Sequence, residues 1–294
     1  MQQPTLSPIV AGCMKWGQWG SGFTTGQYVN MISACADNGI SSFDHADIYG
    51  DYSTEEEFGK ALHQLPGLRN KIQLITKCGI KMPVASRPSF RIKSYNTSKE
   101  YIIECAERSL SNLHTDYIDA FLIHRPDPLM NPEEIAEAFT RLKQQGKILH
   151  AGVSNFTPSQ TAMLHKYFPV EINQIEVSLL YMDPFHNGQL DQCQQEKIVP
   201  MAWSPLGGGQ LLTDTTSERN KRIVTAAAAL SDKYATNIEN ILLAFLHRHP
   251  SGIIPVLGTS KIERLQSAMA AAGLRLEAEE WFMLWEASAG KQVP

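Results

Sequence analysis

Eight short apolar runs, spread over the whole chain and separated by longer helical patterns, constrain this sequence more than any other feature. The runs are Ile9–Gly12, Ile40–Phe43, Ile72–Thr76, Tyr117–Ile123, Ile148–Val153, Glu171–Ile175, Ile198–Trp203 and Ile253–Leu257. Between them, apolar residues recur at helical spacing in Gln27–Asn38, Thr54–Leu65, Lys99–Leu113, Pro132–Gln145 and Pro158–Lys166. Ser53 before Glu56, Ser98 before Tyr101 and Asn131 ahead of Pro132 read as helix starts. Gly39 and Gly146 read as helix ends that need a left-handed residue. Strand–helix alternation with no linker between halves predicts an α/β fold, a parallel sheet closed into a (β/α)8 TIM barrel. At 294 residues the chain suits one such domain spanning 1–294, since these barrels take about 250 residues. The competing doubly wound open sheet requires a glycine-rich phosphate loop after its first strand. Gly20-Ser21-Gly22 does precede a helix, but the third required position is Thr25, and no G-x-x-x-x-G-K is present.

Charge and cysteine usage narrow the function. Lys+Arg 26 against Asp+Glu 30 gives a net charge of −4, without the basic excess of a nucleic-acid-binding surface. A local basic pocket for an anionic cofactor remains compatible with that balance. Cys13, Cys35, Cys78, Cys105 and Cys193 are scattered, odd in number and free of any C-x-x-C pair, as in a reduced cytoplasmic protein. Met1–Pro8 has no basic residue ahead of an apolar run, and no apolar stretch is long enough for a bilayer. The expected partner is therefore a small molecule, with neither nucleic acid nor membrane.

In such barrels chemistry collects where strands end at the C-terminal face. The second run ends in Asp44 with Tyr49 five residues on, the third in Lys77 and the fourth in His124. Singly, each is most simply chain leaving the core. Together they bring a carboxylate, an ammonium, an imidazole and a phenol to one rim. A phenol of ordinary pKa about 10 keeps its proton at neutral pH, and a cation at about 4 Å stabilises its phenolate by roughly 4 kcal/mol at an effective dielectric of 20. That combination is a general acid for an alkoxide as it forms. No Ser-His-Asp order and no Gly-x-Ser-x-Gly accompany it.

These segments resemble the aldo-keto reductase family over most of the chain. Phe43-Asp44-His45-Ala46-Asp47-Ile48-Tyr49-Gly50 looks like its aspartate-to-tyrosine signature, Ile75-Thr76-Lys77-Cys78 like its lysine strand, and Leu122-Ile123-His124-Arg125-Pro126-Asp127 like its histidine strand. Gly152-Val153-Ser154-Asn155-Phe156, Asn173-Gln174-Ile175-Glu176, Ser204-Pro205-Leu206-Gly207-Gly208-Gly209 and Gly258-Thr259-Ser260 follow in the family's order. The resemblance implies a catalytic tetrad of Asp44, Tyr49, Lys77 and His124, with Tyr49 donating the proton, and NADP(H) extended across the barrel mouth. It implies Ser154, Asn155 and Gln174 on the nicotinamide carboxamide, Trp203 as the stacking aromatic, and the Ser204–Gly209 loop, with Leu206 and Gly208, over the pyrophosphate. Ser260, Lys261 and Arg264 would meet the ribose 2′-phosphate, which favours NADPH over NADH. The chain departs from the family at Ser267 and Ala268, where adenine-clamping residues are common, and at His45, where a small residue is common.

On the substrate side, Trp16, Trp19, Tyr181, Met182 and Phe185 are candidate walls for an aldehyde or ketone of modest size. The 79–96 stretch, with Phe90, Tyr95, Arg87 and Arg91, reads either as a pocket lining suited to an anion or as a surface flap. Three other functions compete with a reductase. One is a Schiff-base lyase using Lys77. Another is a metal hydrolase using Asp44, His45, Asp47 and His124. The last is a cofactor-bearing regulatory subunit with little turnover.

Overall fold

All eight apolar runs become strands of one closed barrel in the computed structural model, which describes residues 4–293. The first three residues of the N-terminal segment read above lie outside the described residues. In chain order the strands are β1 (Val10–Gly12), β2 (Ser42–Asp44), β3 (Gln73–Cys78), β4 (Ile80–Lys81), β5 (Ser94–Tyr95), β6 (Ile118–Ile123), β7 (Ile148–Ser154), β8 (Ile172–Glu176), β9 (Val199–Trp203) and β10 (Ile254–Leu257). The barrel closes in the order β1-β10-β9-β8-β7-β6-β3-β2, with every pairing parallel. The sheet is closed, so the open doubly wound alternative does not apply.

The packing explains why the strands read as unbroken apolar runs. Parallel strands in a barrel are buried on both faces. Val10, Ile75, Ala120, Leu122, Ile172, Met201 and Val256 fill the barrel interior. Their neighbours along each strand face outward into the helical layer: Phe121 and Ile123 of β6, for example, pack with Ile102, Ile135 and Phe139.

Helix boundaries follow their caps. Ser98 accepts from the Tyr101 N–H and Asn131 from the Glu133 N–H, as their positions suggested. Gly39 and Gly146 hold φ of 76° and 71°. Ser53 departs from the expectation. Its backbone is already helical and its hydroxyl donates to Glu57 Oε1 at 3.2 Å instead of capping a backbone N–H. The left-handed residues ahead of it enter the helix Thr54–Leu62 without the extended conformation an N-cap needs.

The 79–96 stretch contains the antiparallel hairpin β4–β5. It is tied to the segment after β2: the Met82 N–H donates to Tyr52 Oη at 2.9 Å, and Ser86 Oγ donates to the Asp51 carbonyl at 3.1 Å. All five cysteines are free and buried. Among the described residues, no helix is long and apolar enough to cross a membrane.

Helix Thr54–Leu62 packs closely on helix Lys99–Asn112, and Gly59 permits the approach. A Cβ there would lie 2.0 Å from the Asn112 carbonyl oxygen. Helix propensity alone would make Gly59→Ala stabilising by about 1 kcal/mol. The clash with backbone outweighs that, and a net loss of about 1–3 kcal/mol is expected. A lower urea midpoint for the variant is the result that agrees; an unchanged or raised midpoint refutes this account of the contact.

Candidate active site

The register between β2 and β3 builds the centre of the site. Asp44 pairs with Ile75, so Lys77, two residues further along, emerges on the same face. The Lys77 side chain is wholly buried. Its Nζ donates to both Asp44 oxygens at 2.8 Å, to the His45 carbonyl at 2.6 Å and to Tyr49 Oη at 3.3 Å. An ammonium has N–H groups to give and no lone pair to accept with. The Tyr49 oxygen therefore accepts from Lys77, and its own proton is left for another partner.

Tyr49 is aimed by a tight turn. Its N–H bonds the Ala46 carbonyl, and Gly50, Asp51 and Tyr52 follow at φ of 59°, 53° and 74°. Only glycine adopts that conformation freely, so Asp51 and Tyr52 hold it at a cost. Tyr52 Oη, hydrogen-bonded to the Ile80 carbonyl and the Met82 N–H, anchors the turn. From β6, His124 sets its ring 6.0 Å from that of Tyr49 in an edge-on arrangement. The four residues expected at one rim are thus brought together.

Their protonation states follow from burial and from Lys77. Burial disfavours the Lys77 charge, but Asp44 and Tyr49 outweigh it and hold the ammonium above the ordinary lysine range. Burial pushes the Tyr49 hydroxyl above its ordinary value of 10.0; Lys77 opposes that shift and Asp44 adds to it. Burial, then Lys77, Arg125 and Lys93, hold His124 well below 6.5, so its imidazole is neutral. His45 turns its ring against Phe58, with centroids 4.4 Å apart and neither nitrogen hydrogen-bonded. Burial and then Lys77 push it down to about 3.

The cofactor-side candidates form a chain along neighbouring strand ends. Trp203 Nε1 donates to Asn155 Oδ1 at 2.9 Å, Asn155 Nδ2 to Ser154 Oγ at 2.8 Å, and Ser154 Oγ to the Gln174 carbonyl at 2.9 Å. The Gln174 side chain goes elsewhere, its Nε2 donating to Asp44 Oδ1 at 2.8 Å. Asn155 and Ser204, at the ends of β7 and β9, hold φ of 61° and 49°. Gly207, Gly208 and Gly209 are all left-handed, and a Cβ on Gly208, Gly209 or Gly258 would meet nothing within 4 Å. Their backbone therefore faces open space, as a loop approached by a diphosphate must. Leu206 is half-buried and anchors this loop between two core clusters.

At the far end, Ser260 Oγ accepts from Ser21 Oγ at 2.7 Å. Lys261 and Arg264 are exposed, and neither forms an ion pair among the described residues. Ser267 is engaged by Asn237 Nδ2 at 2.6 Å and Ala268 is buried, so neither reproduces an adenine clamp. The open glycines and exposed cations fit an extended phosphorylated dinucleotide.

Substrate-side expectations divide. Trp19 sits 6.1 Å from the Tyr49 ring and donates from Nε1 to Asp51 Oδ1 at 3.0 Å. Trp16 is no wall. It is fully buried among Phe23, Tyr28, Phe43 and Phe58, with Nε1 bonded to the Thr259 carbonyl. Phe185 is likewise taken up by packing against Phe245, Trp281 and Trp285. Phe90 packs on Tyr52, 6.4 Å between rings, and the Arg87 guanidinium lies over the same tyrosine. Tyr181 is exposed and Met182 half-buried. The sequence reading gave no role to Arg125, Lys93 or Glu176, whose charges gather at this mouth. Their place inside the family motifs was the available signal for Arg125 and Glu176.

A family model described as the aldo/keto reductase family matches residues 8–289. The chain belongs to that family. Membership makes it an oxidoreductase by class. Among curated relatives, it is 43% identical over 292 residues to Uncharacterized oxidoreductase YcsN of Bacillus subtilis, covering 98% of this chain and 96% of that one. It is 39% identical over 291 residues to 6-dehydroglucose reductase of Agrobacterium fabrum, covering 98% and 96%. A crystal structure of an aldo/keto reductase from Klebsiella pneumoniae in complex with NADP and acetate superposes with a TM-score of 0.76 at 25% identity, covering 96% of this chain and 94% of that one.

A neutral His124 has a direct consequence for pH dependence. Its imidazole stays unprotonated as pH falls through 6.5, so kcat/KM for carbonyl reduction should run flat from about pH 7.5 to 5.5. An inflection near 6.5 that disappears in His124→Asn would contradict the assigned state.

Proposed function

We propose that this protein is an NADPH-dependent carbonyl reductase in which Tyr49 is the general acid. The observation that carries the reading is the hydrogen-bond direction at Lys77, whose N–H groups meet Asp44, the His45 carbonyl and Tyr49. Tyr49 accepts there, so its proton is directed to a substrate oxygen. As an alkoxide forms and takes that proton, the phenolate left behind is stabilised by an ammonium already in contact. No reorganisation is needed at that moment, which is where preorganised charge gains its effect. A neutral imidazole carries one N–H. Since His124 Nδ1 is buried without a partner, a proton on Nε2 makes His124 a donor that orients the same oxygen.

NADPH would be held at the carboxamide by Ser154, Asn155 and the Gln174 amide oxygen that Asp44 does not engage, with Trp203 at the ring, the 204–209 loop at the diphosphate, and Ser260, Lys261 and Arg264 at the 2′-phosphate. When bound it supplies the hydride. The Klebsiella homologue in complex with NADP supports this cofactor. The substrate is an aldehyde or ketone; the Agrobacterium relative named 6-dehydroglucose reductase supports a small carbonyl compound.

A Schiff-base lyase needs a lysine that gives up its proton, and Lys77 is held above the ordinary lysine range with its N–H groups engaged. A metal hydrolase is disfavoured because Asp44 faces Lys77, His45 faces Phe58 and Asp47 faces Arg108. A regulatory subunit would not need the complete set of four.

Tyr49→Phe should lower aldehyde-dependent NADPH oxidation by about 100-fold or more while NADPH still quenches tryptophan fluorescence. Full activity in that variant would falsify the assignment of the acid. Arg264→Ala should weaken NADPH binding about tenfold and bring it close to NADH, as expected for a lost charge-assisted hydrogen bond. Equal loss for both cofactors would show that Arg264 does not read the 2′-phosphate.

A further inference from the structure

Gly20-Ser21-Gly22 fails as a dinucleotide fingerprint, since the third required position is Thr25, yet the fold carries it to the cofactor side of the mouth. β1 pairs with β10, Ala11 beside Leu257, so the loops leaving the two strands run side by side. Trp16 joins them. Its wholly buried indole donates from Nε1 to the Thr259 carbonyl at 2.9 Å. The chain beyond it folds back, with the Ser21 N–H on the Lys15 carbonyl and the Phe23 N–H on the Trp16 carbonyl, both at 2.8 Å. The turn requires both glycines. A Cβ on Gly20 would lie 2.1 Å from the Lys15 carbonyl oxygen, and Gly22 holds φ of 57°. The residue between them is thereby set with its Oγ 2.7 Å from Ser260 Oγ.

A hydroxyl has one proton to give and two lone pairs with which to accept. Ser21 gives its proton to Ser260, so the Ser260 proton is left for another partner. Among the described residues Ser260 Oγ donates to no acceptor. Accepting one hydrogen bond also polarises a hydroxyl into a better donor. Ser260 opens the segment that bears Lys261 and Arg264, both exposed and neither in an ion pair among the described residues. A phosphate oxygen suits a primed donor beside two cations.

We propose that Ser21 is a positioning residue for recognition of the cofactor's 2′-phosphate, holding the Ser260 hydroxyl so that its proton meets a phosphate oxygen. Ser21 lies in none of the family motifs quoted above and reaches the site from the opposite end of the chain. The proposal rests on the NADPH reading and adds a residue to it. Because Ser21 acts through Ser260, its contribution is confined to ligands with a 2′-phosphate and vanishes when Ser260 has no hydroxyl.

Calorimetry tests this with NADPH and NADH, which differ by that phosphate alone, and with adenosine 2′,5′-bisphosphate, which lacks the nicotinamide. Ser21→Ala should weaken NADPH and the bisphosphate by about 3- to 10-fold, as for one lost hydrogen bond, and leave NADH unchanged. Ser21→Thr, which keeps the hydroxyl at an exposed position, should bind all three like wild type. In a Ser260→Ala background, Ser21→Ala should cause no further loss. Unchanged NADPH binding in Ser21→Ala, an equal loss for NADH, or a further loss in the double variant would each overturn the proposal and leave the NADPH reading standing. Wild type that binds NADPH no better than NADH would instead overturn the 2′-phosphate reading, and this proposal with it.

Discussion

The buried ammonium of Lys77 is the constraint on which the rest of the site depends. Taking such a charge out of water costs several kcal/mol, and only a close counter-charge with well-made hydrogen bonds offsets it. Asp44 supplies the charge from β2, and the His45 carbonyl and Tyr49 take the remaining N–H directions. Gln174 bonds the same Asp44 oxygen from β8, which lies across the barrel and is not a neighbour of β2. One ion pair thus links three strands at the mouth and sets which atom of Tyr49 faces Lys77. A substitution at Asp44 would do more than remove a negative charge. It would leave Lys77 buried without compensation and free the Gln174 amide, so losses at either position should not be additive.

Around this fixed centre the backbone carries its strain. Asn155, Ser204, Asp51 and Tyr52 are non-glycine residues in the left-handed region, and all lie in segments following barrel strands. Each is over-determined by neighbours. The Asn155 N–H bonds the Gln174 carbonyl, Ser204 leads into the Gly207 turn, and Tyr52 is pinned by the hairpin. Such conformations cost about 1–3 kcal/mol each and persist only where surrounding structure enforces them. The barrel below provides that enforcement.

The sequence made the strands legible because burial on both faces leaves parallel strands continuously apolar, with boundaries that moved by one or two residues. Residues just past those runs were legible for the same reason, since a charged group after an apolar run has few places to go but the rim. Trp16 and Trp19 show where the reading stops. They are the same residue type three positions apart, yet one is enclosed by four aromatic rings and the other stands by Tyr49. Nothing local separates them, because the enclosing rings arrive from Phe43, Phe58 and Tyr28 on other elements. The hairpin β4–β5 was invisible because two-residue strands leave no alternation to detect.

A second polar layer lies behind the catalytic one and explains why the turn bearing Tyr49 can be held so firmly. The Asp47 N–H bonds the Lys77 carbonyl, and its carboxyl faces the Arg108 guanidinium at 3.9 Å. Burial pushes that carboxyl well above its ordinary range. Glu55 accepts from Thr76 Oγ1 at 2.6 Å and from Ser109 Oγ at 3.1 Å, joining β3 to helices Thr54–Leu62 and Lys99–Asn112. Thr76 immediately precedes Lys77, so its side chain points away from the mouth while the lysine points into it. Alternation along a single strand therefore sends one residue to the chemistry and the next to its support. The spacing of the two helices that carry this support is in turn set at Gly59, far from any substrate, and a side chain there would be felt at Tyr49 through Glu55 and β3.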